Sequence, residues 1–283
     1  MDTLRMNVLV TLDHRYCTQL AVMMTSFIEH HSPYDISLFV MHHSLSSDDE
    51  LWLKTVLHYP NLSFSFIFVD EQSLVTAPTS KRYPHEMYYR LFAADYLPRD
   101  LDRILYLDPD IVVINSLADL YFDPFDHHLF KACTHVFSRG QRFNQLRLKT
   151  DGNTPYFNSG VLMMNLEKMR SVISKEAIFK YIKTNRSRLL LPDQDVLTAL
   201  FGNQIQLIDA LYYNLSEKYL NQYNQKVAKG QNPITIEWVE SHAKIIHYCG
   251  RNKPWKPEYR GELNRFYREY ESKLKGSMND LHH

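Results

Sequence analysis

An alternation of short apolar runs with helical patterns fills the first half of the sequence and limits the folds open to this chain. Runs of strand length lie at Asn7–Leu12, Ile36–Met41, Ser63–Asp70 and Arg103–Leu107. Helical patterns separate them at Tyr16–His31, from Ser46 to about Leu57, and at Tyr88–Tyr96 before Pro98. This order predicts the α/β class, with a mostly parallel central sheet and helices on both faces.

Polar residues stand at the ends of two of these predicted strands. Asp13 follows the first strand and Asp108 follows the fourth. Parallel sheets bind ligands at the carboxyl ends of their strands. We therefore expect both carboxylates to face one crevice.

The second half of the sequence is less regular. Strand patterns lie at Lys131–Thr134, Val161–Asn165 and Ile245–Tyr248, and helical patterns at Ser174–Thr184, Gln194–Phe201 and Glu258–Lys275. Because no clean linker divides the halves, we predict one large domain over residues 1–257 and a C-terminal helical tail over 258–283. The tail helix mixes aromatic, basic and acidic residues, so we expect it to dock on the core. A weak contact with a membrane surface is the alternative.

Composition and charge exclude several classes of protein. Lys plus Arg and Asp plus Glu balance at 32 each, whereas a general nucleic-acid binder usually has a basic surplus. Cys17, Cys133 and Cys249 have neither zinc-ligand spacing nor the pattern of a disulfide framework. A signal-peptide layout and a membrane-spanning apolar run are both missing. We expect a cytoplasmic protein, with peripheral association at the inner membrane face as the alternative.

The sharpest chemical feature is the triplet Asp108-Pro109-Asp110 at the end of the fourth strand. Two neighbouring carboxylates suit a hard divalent cation, which prefers oxygen ligands. A turn that uses Asp and Pro for backbone reasons is the plain alternative. An Asp-x-Asp motif also fits a phosphatase with Asp108 as nucleophile, in which Asp193 and Asp195 would supply a second acidic pair. That class, however, carries its motif on the first strand.

Three further strings combine polar residues in ways that suit a ligand site. They are Asn158-Ser159-Gly160 before a strand, Asp193-Gln194-Asp195 at a helix start, and His247-Tyr-Cys-Gly250-Arg-Asn-Lys253 after a late strand. Each has a structural explanation: a bulge or turn, an N-cap at Asp193 with Asp195 in the first helical turn, and a turn glycine beside a solvated lysine. The combination of His, Gly and Lys favours a site that binds phosphate.

Together the strings YFNSGV, DQDVL and HYCGxxKPW, with the acidic triplet, resemble glycosyltransferase family 8 over roughly residues 6 to 260. The family includes bacterial lipopolysaccharide α-galactosyltransferases and glycogenin. The resemblance implies the GT-A fold of nucleotide-diphospho-sugar transferases, a UDP-sugar donor and retention at the anomeric carbon. It also implies a metal site made by Asp108, Asp110 and His247. The imidazole favours manganese, with magnesium as the alternative.

The resemblance assigns roles along the donor. It implies a uracil and ribose site at Thr11, Leu12, Asp13 and Tyr16, diphosphate contacts at Gly250 and Lys253, and sugar contacts at Arg90, Asn158, Asp193 and Gln194. Pro109 stiffens the metal loop. Because an amide oxygen is a poor nucleophile, we expect transfer on the front face of the sugar, with Gln194 steadying its positive charge.

The sequence departs from the family pattern at two places. His14 and Arg15 follow Asp13 where many members have a second acid, and His135 stands where an Asp near the sugar is usual. The donor therefore stays open between glucose, galactose and other sugars. The acceptor, a glycan, glycolipid or glycoprotein, is expected to contact residues 138–155 and 212–233. A binder of nucleotide sugars without activity is the remaining alternative.

Overall fold

The computed structural model describes residues 4–70, 86–227 and 232–280. Residues 228–231 of the expected acceptor segment and 281–283 of the expected tail lie outside these ranges. The strands are β1 Arg5–Thr11, β2 Asp35–His42, β3 Leu62–Phe68, β4 Arg103–Leu107, β5 Ile111–Val113, β6 Phe130–Cys133, β7 Val161–Asn165, β8 Ile205–Ile208 and β9 Ile245–His247.

The helices flank these strands, and several are a single turn long. They are α1 Cys17–His30, α2 Ser47–Val56, α3 Glu86–Tyr89, α4 Ala93–Tyr96, α5 Ala118–Phe122, α6 Ser138–Leu148, α7 Leu166–Val172, α8 Lys175–Asn185, α9 Pro192–Phe201, α10 Ala210–Tyr213, α11 Glu217–Lys226, α12 Ile236–His242 and α13 Asn264–Asp280. Helix α2 begins as predicted, because the Ser46 hydroxyl and the Asp49 carboxylate cap each other's backbone N–H groups.

Within the described residues, seven strands form the central sheet in the order β3-β2-β1-β4-β7-β6-β8. The β3-β2-β1-β4 half is parallel throughout, whereas β7 runs antiparallel to both β4 and β6. The β6-β8 pair is parallel again. Apolar side chains are buried on both faces of the sheet. The predicted α/β class with a mostly parallel sheet is therefore confirmed.

A small second sheet, which the sequence did not predict, brings two distant segments together. Strand β5 pairs antiparallel with β9, and Ile111 lies opposite His247. The N–H of Tyr248 donates to the carbonyl oxygen of Asp110 at 2.9 Å. This ladder holds the end of the acidic triplet beside the late histidine.

Two predicted helices differ from the observed ones. The helix expected at Tyr88–Tyr96 is interrupted by a 3-10 turn at Arg90–Phe92, where Arg90 is held by contacts in the central cleft. The final helix begins at Asn264 rather than Glu258. The Glu217 carboxylate accepts the N–H groups of Glu262 and Leu263 at 3.2 and 3.1 Å, which holds this stretch in a turn.

The final helix α13 docks on the core, as expected. Phe266, Tyr267, Tyr270 and Leu274 are buried in the same apolar cluster as α1. His30 and the Tyr270 hydroxyl are hydrogen-bonded at 2.8 Å. The division at residues 257 and 258 stays a prediction. Among the helices of the described ranges, none has both the length and the apolar character of a membrane span.

Candidate functional site

A cleft of about 1260 Å³ opens at the carboxyl ends of β1 and β4. Asp13 and Asp108 both line it, as their positions after these strands predicted. The other predicted site residues also line this cleft, namely Thr11, Leu12, Tyr16, Arg90, Pro109, Asp110, Asn158, Asp193, Gln194, His247, Gly250 and Lys253. The fold thus brings together residues from six separate stretches of the chain.

Asp108, Asp110 and His247 converge in this cleft. One oxygen of each acid and one ring nitrogen lie within 4.8 Å of one another. His247 Nε2 is 3.2 Å from Asp110 Oδ1 and 3.7 Å from Asp108 Oδ2. His247 is 1% exposed, and among the described residues no hydrogen-bond partner reaches Nε2. Two carboxylates and a buried ring nitrogen without a hydrogen-bond partner are a ligand set that suits a divalent cation.

Gly160 closes one side of this cluster and explains why a glycine opens β7. A Cβ at this position would lie 2.3 Å from His247 Cε1 and 2.6 Å from Asp108 Oδ2. Such distances are far inside van der Waals contact. The N–H of Asp108 also donates to the Gly160 carbonyl oxygen at 2.8 Å. The sequence string showed this glycine without indicating that the acidic cluster packs against it.

Lys253 pairs with Asp110 on the other side of the cluster. Its ammonium group contacts Asp110 Oδ2 and donates to the Tyr248 carbonyl oxygen at 3.0 Å. Burial alone would raise the pKa of Asp110, but the Lys253 ammonium group beside it holds that pKa well below its usual range. Burial would likewise lower the pKa of Lys253, and the Asp110 charge reverses this and raises it. Both groups are therefore charged at neutral pH.

Gly250 follows β9 in a conformation that favours glycine. Its φ is +97°, in the left-handed region where a Cβ is unfavourable. In the described part of the chain, no heavy atom lies within 4 Å of its Cβ position. The backbone conformation, rather than crowding by neighbouring atoms, accounts for the glycine in this structure.

Arg90 connects Asp108 with Asp193 across the cleft. Its guanidinium is 3.0 Å from Asp108 Oδ1 and 3.4 Å from Asp193 Oδ2, and it donates to the Ser159 carbonyl oxygen at 2.8 Å. It also lies 4.3 Å from the ring centroid of Tyr106, whose hydroxyl donates to Asp108 Oδ1 at 2.6 Å. Asp108 is thereby fixed by two donors on one oxygen, which leaves Oδ2 directed toward His247.

The acidic string at α9 is placed differently from the prediction. The helix begins at Pro192 with Leu191 as its N-cap, because proline is favoured at the first helical position and needs no N–H acceptor. Asp193 therefore is not an N-cap. Its Oδ2 accepts the Ser159 hydroxyl at 2.8 Å. Burial raises the pKa of Asp193, and Arg90 opposes this rise.

Asp195 is wholly buried and belongs to the scaffold. It receives two N–H groups of Arg147 at 2.7 Å each and the Tyr156 hydroxyl at 2.8 Å. The backbone N–H groups of Leu190 and Leu191 donate to it as well. Asp193 and Asp195 therefore do not form the acidic pair that the phosphatase alternative needed.

The end of the cleft near β1 has a local charge pair. Arg15 contacts Asp13 through its guanidinium, and its N–H donates to Asp13 Oδ1 at 2.9 Å. Arg15 also lines the cleft, a role that the sequence did not indicate. Tyr16 meets Trp255 edge to face, with ring centroids 6.1 Å apart. The two rings form an aromatic side of the cleft.

His135 and Asn214 lie side by side behind the cluster. His135 lines the cleft, and its Nε2 donates to the Asn214 carbonyl oxygen at 2.5 Å. Burial lowers the pKa of His135 to about 4, so the ring is neutral at pH 7. Asn214 Oδ1 is 2.9 Å from His247 Nδ1. No pattern in the sequence indicated this role for Asn214, because the side chains that it contacts are distant along the chain.

Comparison with known proteins finds relatives of one class, the glycosyltransferases. The pattern described as glycosyl transferase family 8 matches residues 7–258. Lipopolysaccharide 1,2-glucosyltransferase of Escherichia coli is 27% identical, over 88% of this chain and 73% of the relative. Lipopolysaccharide 1,3-galactosyltransferase of Salmonella typhimurium is 24% identical, over 90% of this chain and 74% of the relative. The solved structure of galactosyltransferase LgtC with donor and acceptor sugar analogues has a TM-score of 0.81 at 22% identity. The match covers 96% of this chain and 100% of the LgtC chain.

The likeness to LgtC shows that the fold is of the GT-A glycosyltransferase type. The chain belongs to glycosyl transferase family 8, because the family pattern covers nearly its whole length. The predicted enzyme class, a hexosyltransferase, is thereby confirmed, and the phosphatase alternative is set aside.

Proposed function

We propose that this enzyme transfers glucose or galactose from a UDP-sugar to a hydroxyl of a glycan, glycolipid or glycoprotein, with retention at the anomeric carbon. The convergence of Asp108, Asp110 and His247 in one cleft carries the proposal. The names of the relatives, lipopolysaccharide glucosyltransferase and galactosyltransferase, support a hexose donor and an acceptor of the lipopolysaccharide type.

Asp108, Asp110 and His247 would hold a divalent cation in this function. An imidazole in the ligand set favours manganese over magnesium. Such a cation supplies electrostatic stabilisation to a diphosphate leaving group. The buried Nε2 of His247 and the space left by Gly160 support this role.

The remaining residues would divide the donor among three parts of the cleft. Thr11, Leu12, Asp13 and Tyr16 would contact the uridine. Gly250 and Lys253, beside the Pro109 loop, would contact the diphosphate. Arg90, Asn158, Asp193 and Gln194 would surround the hexose. Their common placement in the cleft supports the division.

The chemistry proposed is transfer on the front face of the sugar. The Asp193 carboxylate is held by Ser159 and faces Arg90, which suits an orienting role better than attack on the sugar. Gln194 offers only an amide oxygen, which can stabilise positive charge on the sugar but is a weak nucleophile. The departing phosphate would take the proton of the acceptor hydroxyl, and Lys253 would stabilise the negative charge that develops there.

A screen of UDP-sugars for hydrolysis without acceptor tests this function. UDP release from UDP-glucose, UDP-galactose and UDP-N-acetylglucosamine is measured with manganese, with magnesium and with a chelator. We expect slow release from UDP-glucose or UDP-galactose that depends on manganese. The Asp110→Ala variant should lower this release about 100-fold to 1000-fold, because it removes a charged ligand that stabilises the leaving group.

The exposed Asp100 gives a matched control, since Asp100→Ala removes the same chemical group from the turn after Pro98. This variant should release UDP at the rate of the natural sequence. Equal turnover by Asp110→Ala, or turnover unaffected by the chelator, would refute the proposed metal role.

A further inference from the structure

A backbone N–H fixes the orientation of the Asn158 side chain. The Gly160 N–H lies 2.9 Å from Asn158 Oδ1. A backbone N–H can only donate, so the side-chain atom that faces it must be the carbonyl oxygen. The orientation of this amide therefore follows from the main chain.

The fixed oxygen of Asn158 orients a second amide. Asn214 Nδ2 lies 3.0 Å from the same Asn158 Oδ1. Because an amide oxygen only accepts, Asn214 must present its NH₂ group there and its own oxygen on the opposite side. That oxygen lies 2.9 Å from Nδ1 of His247.

The second amide in turn determines the tautomer of the histidine. The Asn214 oxygen can only accept, so His247 Nδ1 carries the hydrogen. A neutral imidazole has one N–H, which leaves Nε2 with a free lone pair. Nε2 is the ring atom that faces Asp110 and Asp108 at 3.2 and 3.7 Å.

Asn214 is built rigidly into the fold. It is wholly buried, and its N–H donates to the Ala210 carbonyl oxygen at 3.2 Å. His135 donates to its carbonyl oxygen at 2.5 Å. The next residue, Leu215, accepts the N–H of His247 at 2.7 Å. Asn214 and His247 are thus held in register by the main chain as well as by their side chains.

We propose that Asn214 is a positioning residue that holds His247 in the Nδ1–H tautomer and aims the lone pair of Nε2 between Asp108 and Asp110. The inference rests on the proposed function only in that the lone pair serves a divalent cation. Hydrogen bonds to the second nitrogen of a metal-binding histidine typically change metal affinity 10-fold to 100-fold.

The tautomer is measured on the natural sequence without metal. Long-range proton–nitrogen NMR of histidine-labelled protein at pH 8 distinguishes the two tautomers, and His247→Gln assigns the signal. We expect the Nδ1–H form at His247. An Nε2–H form, or a rapid mixture of both, would overturn the inference whether or not the protein binds a metal.

Two variants then separate positioning from packing. Asn214→Leu removes the acceptor at similar volume, and Asn214→Asp keeps an oxygen acceptor for Nδ1–H. Calorimetric titration with manganese in the presence of UDP should show a 10-fold to 100-fold weaker affinity for Asn214→Leu. Asn214→Asp keeps the acceptor for Nδ1–H and loses only the hydrogen bond donated to Asn158, so its affinity should fall less than that of Asn214→Leu.

Asn115 provides the matched control, because it also makes two side-chain hydrogen bonds, to the Glu240 and Ala243 carbonyl oxygens at 3.1 and 2.6 Å. Asn115→Leu should leave the affinity for manganese unchanged. Natural affinity in Asn214→Leu, or equal weakening in Asn214→Asp and Asn214→Leu, would contradict positioning by Asn214. Failure of the natural sequence itself to bind manganese would count against the proposed function, while the NMR result would still decide the tautomer.

Discussion

Two stretches of this chain have the same spacing of acids, and the fold uses them in different ways. In Asp108-Pro109-Asp110, both carboxylates face one ring nitrogen, at 3.7 and 3.2 Å. In the stretch Asp193-Gln194-Asp195, the first acid contacts Arg90 in the cleft, whereas the second is wholly buried against Arg147.

The backbone explains the difference. Asp108 and Asp110 lie in a turn between two strands, β4 and β5, where Tyr106 and Lys253 each hold one acid in place. Asp193 and Asp195 lie in the first turn of α9, where residues two apart point to nearly opposite sides. Equal spacing in the sequence therefore indicates a shared ligand only when the local conformation turns both side chains the same way.

The largest effect that tests this comparison is expected from Asp195. Asp195→Ala should lower the free energy of unfolding by about 3–5 kcal/mol, because it removes a wholly buried carboxylate and leaves the Arg147 charge, whose side chain is only 10% exposed, without its partner. Urea unfolding followed by circular dichroism measures the change. The folded fraction of the variant should keep its manganese-dependent release of UDP. A loss below about 1 kcal/mol would show that Asp195 is not the structural member of the pair.

The next effect concerns the glycine beside the first pair. Gly160→Ala would place a methyl group against His247 and Asp108, which must then move apart. Overpacking of this kind costs about 1–3 kcal/mol, so the affinity for manganese should fall about 10-fold to 100-fold. Calorimetric titration in the presence of UDP measures it. Gly152→Ala is the control, since within the described residues no heavy atom lies within 4 Å of its Cβ position.

The smallest effect is expected from the first acid of the second pair. Asp193→Asn keeps an oxygen for the Ser159 hydroxyl but removes the charge that faces Arg90. We expect UDP release to fall about tenfold, the lower end of what a charge-assisted contact contributes. Affinity for manganese should stay unchanged, because Asp193 is outside the metal cluster. A large loss of that affinity would place Asp193 with Asp108 and Asp110 instead.

The sequence predicted the parallel half of the sheet because each of its strands is a buried apolar run between helices. It predicted the late strand β9 but not β5, nor the pairing of the two strands from more than a hundred residues apart along the chain. Such a pairing leaves no local periodicity. Asn214 was missed for the same reason: its partners, Asn158 and His247, are distant in sequence.

The residues of the cleft were predicted largely through the family strings rather than from their chemistry alone. For Asp108 and Asp110, their spacing and their place after a strand were enough to indicate a metal site. His247 was connected to them only by resemblance, since nothing in its neighbourhood identifies its partners. The N-cap expected at Asp193 was wrong because Pro192 takes the first helical position and shifts the helix start.

The ladder between β5 and β9 also has a consequence for biosynthesis. Asp110 is tied to Tyr248 through the main chain, and His247 is opposite Ile111. A nascent chain that has not yet extended past residue 248 can assemble its parallel strands but not this junction. Contacts between segments so far apart close late, since the entropy of the intervening loop must be overcome first. The junction that brings Asp110 beside His247 therefore forms only after residue 248 has been synthesised.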